Sequence, residues 1–235
     1  MMCLSRNDIE IIGQSVLRDY TKRTRSNAQT PIDIERFARN YLGVQIQHRK
    51  LSESGDILGL TTYRGLNLKL TFPEGDVFLS VPEDTILLEE RLLQPKNHSR
   101  WRFTLAHECA HQILARIEEK EAGSSFRKTL APGKTYSCRD LKSAEHWSEW
   151  QANSLGAVLL MPKENLLEIL KYGDKPRTLI RYGNRFNPLD YAVIKRVADM
   201  FRVSLKAMEL RIGALGYIAH RPESEYTDPL DIFDD

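Results

Sequence analysis

Apolar and polar positions alternate along the chain with two different periods, and the switch between them sets out the architecture. Over residues 5–20, Ile9, Ile12, Val16 and Tyr20 recur at helical spacing behind Ser5, a good N-cap residue, so the pattern predicts a first helix. A basic connector with Arg18, Lys22, Arg23 and Arg25 leads to Pro31, which opens a short helix with the stripe Ile34, Phe37, Ala38 and Tyr41, stopped by Gly43. From Val44 to Glu89 the period shortens. Five β-rich runs, 44–48, 57–63, 67–72, 76–81 and 84–89, are divided by Gly, Pro, Asp and Asn, which predicts a small antiparallel sheet. Helical spacing returns from Ser99 to about Glu119. Residues 122–137 are rich in Gly, Ser, Pro and Lys, and a further helix runs from about Leu141 to Leu160, where Met161-Pro162 ends it. The last third reads as helical, with pieces near 163–171, 188–201 and 204–215, before an Asp- and Pro-rich tail at 221–235.

The predicted fold class is therefore α+β. A small antiparallel sheet packs against the helix at about 99–119 and a second long helix at about 141–160, followed by a helical C-terminal part. In domain terms this is an N-terminal helix with its connector (1–30), a single main domain (31–220, with a helical subregion at about 163–220) and an acidic flexible tail (221–235).

Composition narrows the setting. The 235 residues include 41% hydrophobic ones, enough for a core of good size. The formal net charge of +2 hides an asymmetry: residues 221–235 carry −5, so the rest carries +7. Three cysteines, Cys3, Cys109 and Cys138, form no paired framework, as expected of a reducing compartment. No apolar run spans a bilayer: the longest charge-free stretch is Gln151 to Pro162. The expectation is a cytoplasmic protein with no membrane partner.

The chemistry lies in His107-Glu108-Cys109-Ala110-His111, inside the helical run Trp101 to Ile117. Residues four apart share a helix face about 6 Å apart along the axis, so the two imidazoles can grip one ion. Glu108, one position on, sits at the edge of that face, where its carboxylate can act as general base without becoming a ligand. A catalytic zinc needs a third protein ligand and an open fourth position. Glu149 in the next helix resembles the third ligand of thermolysin-like zinc enzymes, in which a residue four later, here Asn153, hydrogen-bonds a ligand histidine. His146, one turn earlier, is a rival ligand. Tyr136, His146, Tyr172 and Tyr182 are chemically able to stabilise an oxyanion.

Arg102-Phe103-Thr104-Leu105-Ala106-His107-Glu108, Glu149-x-x-Ala152-Asn153 and Leu159-Leu160-Met161-Pro162 together resemble the ImmA/IrrE family of metallopeptidases. The resemblance extends weakly to Pro31-Ile32-Asp33, Phe201-x-Val203-Ser204 and Leu215-Gly216. Leu155-Gly156 stand where the family often has Phe-Ala, and the 122–140 segment is long. The resemblance implies that 31–220 is a metallopeptidase domain with a zincin-like active-site helix and a second metal-bearing helix, carrying one catalytic zinc on His107, His111 and Glu149, with Glu108 as base. It also implies an endopeptidase whose substrate is a repressor-like regulatory protein, for instance the repressor of a mobile element. No direct nucleic-acid partner is expected, because the bases at 193–216 are interleaved with acids.

Two other readings stay open on sequence. One is a non-proteolytic, zinc-organised regulatory or toxin-antitoxin partner-binding module. The other is a DNA-binding regulator, since residues 193–216 fit a helix-turn-helix pattern, although their bases are interleaved with acids. Pro132-Gly133-Lys134-Thr135 lacks the first glycine of a phosphate loop and reads as a basic surface loop, within a 122–140 segment expected to act as a flap. Cys138 reads as an ordinary loop thiol. Cys109 points away from His107 and reads as a core thiol, and Trp101, Trp147 and Trp150 are expected to pack the two metal-bearing helices together.

Overall fold

In the computed structural model, Ser5 caps the first helix, α1 (Arg6–Thr24), through a capping box with Asp8. The structure describes residues 3–25, 30–118, 127–129 and 144–227, with side chains for all of these except 127–129 and 144–146. The chain divides into two compact units, residues 1–160 and 161–235.

In the first unit, Asp33 rather than Pro31 caps the short helix α2 (Ile34–Arg36). The chain continues as π-helix through Phe37–Leu42 and stops at Gly43, whose φ of 72° suits glycine. The β-rich runs become β1 (Gln45–Arg49), β2 (Gly59–Thr62), β3 (Leu66–Phe72), β4 (Gly75–Val81) and β5 (Thr85–Glu89). They do not form one antiparallel sheet. β3 and β4 pair only with each other, while β1 runs parallel to β5, which pairs antiparallel with β2. The short strand β6 (Arg127–Thr129) adds to the other edge of β2, giving the order β1-β5-β2-β6. Hydrophobic period alone does not encode direction, and the mixed pairing follows from the hairpin being set off as a layer of its own. Leu68 and Val81 of the hairpin pack on Leu51, Leu60 and Leu87, covering one face of the sheet.

The other face carries α3 (His98–Ile117), which holds the His-Glu-x-x-His run. Covered on both sides, β2 and β5 are buried at every residue, which is why Thr85-Ile86-Leu87-Leu88 reads as a continuous run rather than an alternation. α4 (Ala144–Leu160) packs along α3, and α1 along α4. Held from two sides, α4 has no exposed side chain from Trp147 to Leu160. Its charge-free stretch from Gln151 is thus a core helix, and no helix among the described residues is long and apolar enough to cross a membrane.

The second unit departs further from the helical reading of the last third. α5 (Lys163–Ile169), α6 (Pro188–Phe201) and α7 (Leu205–Ala214) fall where expected, α6 capped by Asn187 with Pro188 at its first position and α7 by Ser204. Between and after them lie β7 (Lys171–Tyr172), β8 (Lys175–Pro176), β9 (Leu179–Tyr182), β10 (Arg185–Phe186) and β11 (Ile218–Arg221). Two hairpins turn at Gly173 and Gly183, both with positive φ, and β11 runs parallel to β9. Strands of two to four residues rich in Lys and Arg carry too few alternations to register as β, so the Gly-Asp and Gly-Asn turns were the only signal. Asp190 ties this unit together by accepting from Arg177 and from the Ile180 amide, the latter at 2.9 Å, and Arg211 Nε donates to the Met161 carbonyl at 3.0 Å. Residues 222–227 are held as well: Glu223 pairs with Arg185, and Tyr226 packs edge-on to Tyr182. The remainder of the expected tail, 228–235, lies outside the described residues, as does the 122–140 segment apart from β6.

α1 meets α4 at a glycine. A Cβ on Gly13 would run into Val158 Cγ1 and reach within 3.2 Å of Leu155 Cδ1. Gly13→Ala should gain about 1 kcal/mol of helix propensity but lose about 1–3 kcal/mol to overpacking, for a net destabilisation in urea unfolding. With Val158→Ala in the same chain the sign should reverse. Equal effects in both backgrounds would show that the helices separate freely at this point.

Candidate metal centre

α3 and α4 present the predicted residues to one another because each repeats at four-residue spacing: His107 and His111 on α3, Glu149 and Asn153 on α4. His107 Nε2 lies 3.2 Å from Glu149 Oε2, His111 Nε2 lies 3.2 Å from Glu149 Oε1, and the two Nε2 atoms are 3.0 Å apart. All three residues are buried. Among the described residues these three form a group whose ligand atoms converge within 4.8 Å.

The donor set fits a metal on two counts. Bonds of about 2.0–2.1 Å at tetrahedral angles put neighbouring ligand atoms about 3.4 Å apart, close to the 3.0 Å between the two Nε2 atoms and to the 3.2 Å from each Nε2 to its own oxygen of the Glu149 carboxylate. His107 Nδ1 lies 3.1 Å from Asn153 Oδ1 while Nε2 faces a Glu149 oxygen, so a ring that donates to Asn153 through Nδ1–H can turn an Nε2 lone pair to an ion, whereas without the ion an Nε2–H donates to the carboxylate. Two nitrogens and one carboxylate, with no thiolate, are also the ligand types of catalytic rather than structural zinc.

Burial pushes the Glu149 carboxyl upward, but hydrogen bonds from His107 and His111 together outweigh it and hold the group well below the usual carboxylate range. Glu108 goes the other way. It is fully buried, and burial, followed by the charge on Glu149, raises it well above its ordinary value. Cys109 is buried too, its thiol pushed up by burial, so it is a core group and not a nucleophile.

Residues 84–213 match the model of peptidase family M78, the IrrE N-terminal-like domain. The chain belongs to that family. The M78 match takes in β5, α3, α4 and the second unit through α7; membership implies metallopeptidase-type activity, and the buried His-His-Glu group is compatible with a metal site. No curated protein matches the chain.

Other predicted residues fall elsewhere. His146 is in α4, but its side chain is not among those described, and Tyr136, Cys138 and Pro132-Gly133-Lys134-Thr135 lie outside the described residues. Tyr172 and Tyr182 belong to the second unit, where Tyr172 is exposed and Tyr182 meets Tyr226. Trp147 and Trp150 stack on each other along α4. Trp101 does not join them. Its indole donates to His48 Nε2 at 2.9 Å and its ring lies between His48 and His98, because it sits at the start of α3, beside β1.

Four residues of the site region escaped the sequence reading: Gly59, Thr61, Tyr63 and Gln112. Gln112 Nε2 donates to Thr61 Oγ1 at 2.6 Å and to the Thr62 carbonyl at 3.0 Å, and Tyr63 donates to the His111 carbonyl at 3.2 Å. Gly59 was the one visible clue, since a glycine inside a strand often marks the close approach of another group.

Asn153→Leu should lower metal affinity about 10–100-fold by releasing the His107 tautomer, and Glu149→Ala should lower it further, both read by competition with a chromogenic chelator. His146→Ala should leave affinity unchanged. Full metal occupancy in Glu149→Ala with loss in His146→Ala would move the third ligand to His146.

Proposed function

We propose that this chain is a zinc-dependent endopeptidase that makes a site-specific cut in a regulatory protein, a transcriptional repressor being the substrate class. The observation that carries the reading is the triangle of His107, His111 and Glu149 with the buried carboxylate of Glu108 next to it in sequence on α3. The repressor comes from the family resemblance, and the cytoplasmic setting from the cysteine usage.

In this reading His107, His111 and Glu149 hold the ion, and Asn153 keeps the His107 lone pair aimed at it. When bound, zinc supplies Lewis-acid polarisation of the scissile carbonyl and acidifies an attacking water. Glu108 accepts the proton released by that water and passes it to the departing amine, a task that suits a carboxyl whose surroundings disfavour a permanent charge.

Glu108→Gln keeps shape and helix propensity, so zinc content and thermal stability should match the parent chain. Turnover of the true substrate should fall by at least about 10²–10⁴-fold. Glu108→Asp should lose about 10²-fold, because a side chain one methylene shorter misplaces the base by about 1 Å. The assay is zinc-loaded protein incubated with the repressor-like product of a neighbouring gene, scored for one discrete cut. A folded, zinc-replete Glu108→Gln protein that cuts at the parent rate would overturn the mechanism and leave a metal-organised binding module.

A further inference from the structure

β2 lies along α3 in matched register. Residues 108 and 112 advance about 6 Å along the helix axis, and residues 59 and 61 advance about 6.7 Å along the strand. The Gln112 amide grips Thr61 and Thr62, and one helical turn earlier the residue opposite Glu108 is Gly59. Tyr63 fixes the same strand to the backbone of α3 beside the metal-bearing His111.

Glycine is not required at position 59 by backbone conformation. It does not have positive φ, and it pairs regularly with Leu88 on one side and Thr129 on the other. A glycine in a buried strand is unfavourable in itself, since it packs nothing and loses more entropy on folding than other residues. What position 59 requires is space. A Cβ there would stand 2.6 Å from Glu108 Oε1, 3.0 Å from Glu108 Cγ and 2.9 Å from Thr104 Cγ2.

We propose that Gly59 is a positioning residue for the general base: its bare backbone is the surface against which the Glu108 carboxylate rests, and Gln112 holds that surface in register. The inference rests on the peptidase reading for its consequence but not for its geometry. The atoms a methyl group would displace are the end of the Glu108 side chain and a threonine methyl, not backbone. Gly59→Ala therefore leaves the fold in place and turns the base aside. None of the three nearest atoms belongs to His107, His111 or Glu149, the proposed metal ligands.

The test is a double-mutant cycle on the zinc-loaded protein. Gly59→Ala should keep full zinc content and an unchanged KM while kcat falls about 10²-fold, the cost of misplacing a catalytic group by about 1 Å. It should also lower Tm in the parent background and raise it, or leave it unchanged, in the Glu108→Ala background, where Cγ and Oε1 are gone. A kcat at the parent level overturns the proposal. So does a Tm penalty that Thr104→Ser relieves and Glu108→Ala does not, because the glycine would then serve only the packing of Thr104. If no repressor-like protein is cut by the parent chain, the Tm cycle still reads the Gly59–Glu108 contact. Coupling without cleavage would overturn the peptidase function and leave the contact standing.

Discussion

The first unit is organised around burying two imidazoles and the Glu149 carboxylate between α3 and α4, and the Glu108 carboxylate between α3 and β2. His107, Glu108, His111 and Glu149 are all among the buried residues. An unpaired charge in such a place costs several kcal/mol, and even paired charges seldom recover the loss without further hydrogen bonds. A cation shared by His107, His111 and Glu149 would replace the hydrogen bonds between the imidazoles and the carboxylate with coordination. The arrangement is thus a site first and a stabilising element only when filled, and the surrounding apolar layers must hold it together meanwhile.

Those layers approach one another at positions that lack a side chain. Gly13 admits Val158 and Leu155 of α4 against α1, and a Cβ on Gly156 would press within 3.1–3.3 Å of the α3 backbone at Ala106 and His107. Gly156 therefore lets α4 come close to α3 three residues after Asn153, which is what brings Asn153 within hydrogen-bonding reach of His107. The third approach is Gly59 under Glu108. Each glycine forgoes a buried side chain, a sacrifice of stability that close packing elsewhere offsets: Leu105, Leu155, Leu159 and Leu160 are fully buried along the same pair of helices.

The helices of this chain announce themselves in sequence because a 3.6-residue stripe over four or five turns repeats its signal, and because Ser5, Asn187 and Ser204 are side chains that only make sense as caps. The strands of the first unit show for a related reason, since each is bounded by turn residues. Direction and partner are another matter. That β1 should lie parallel to β5, or that β3 and β4 should leave the sheet, depends on where α3 and the hairpin settle, and no period of the sequence carries that information. The short basic strands from Lys171 to Phe186 are invisible for want of length. At the site, His107, Glu108 and His111 are legible because metal ligation forces a spacing on one helix, whereas Gln112 and Thr61 meet across fifty residues, and their types are common in any core. Resemblance supplied Glu149 and Asn153. Spacing by itself left His146 in contention.

Glu108 and Glu149 are chemically identical groups that the fold treats oppositely, and that difference is the strongest internal argument for dividing their roles. Glu149 accepts from two imidazoles, which outweigh its burial and keep it ionised, the state a ligand needs. Glu108 lies deeper, and burial together with the negative charge on Glu149 favours the proton on it, the state a base must be able to reach and leave again. Pairs of titratable groups pushed apart in this way are how a single site separates an acid–base function from an electrostatic one. The two effects are also linked: the more firmly Glu149 is held as an anion, the more it raises Glu108. A cation on the histidines would weaken that link by neutralising Glu149, lowering Glu108 toward the range where it can trade a proton with water. If His107, His111 and Glu149 hold the ion as proposed, the ion and the base are tuned by the same carboxylate, and the third ligand takes part in the acid–base chemistry as well as in the coordination.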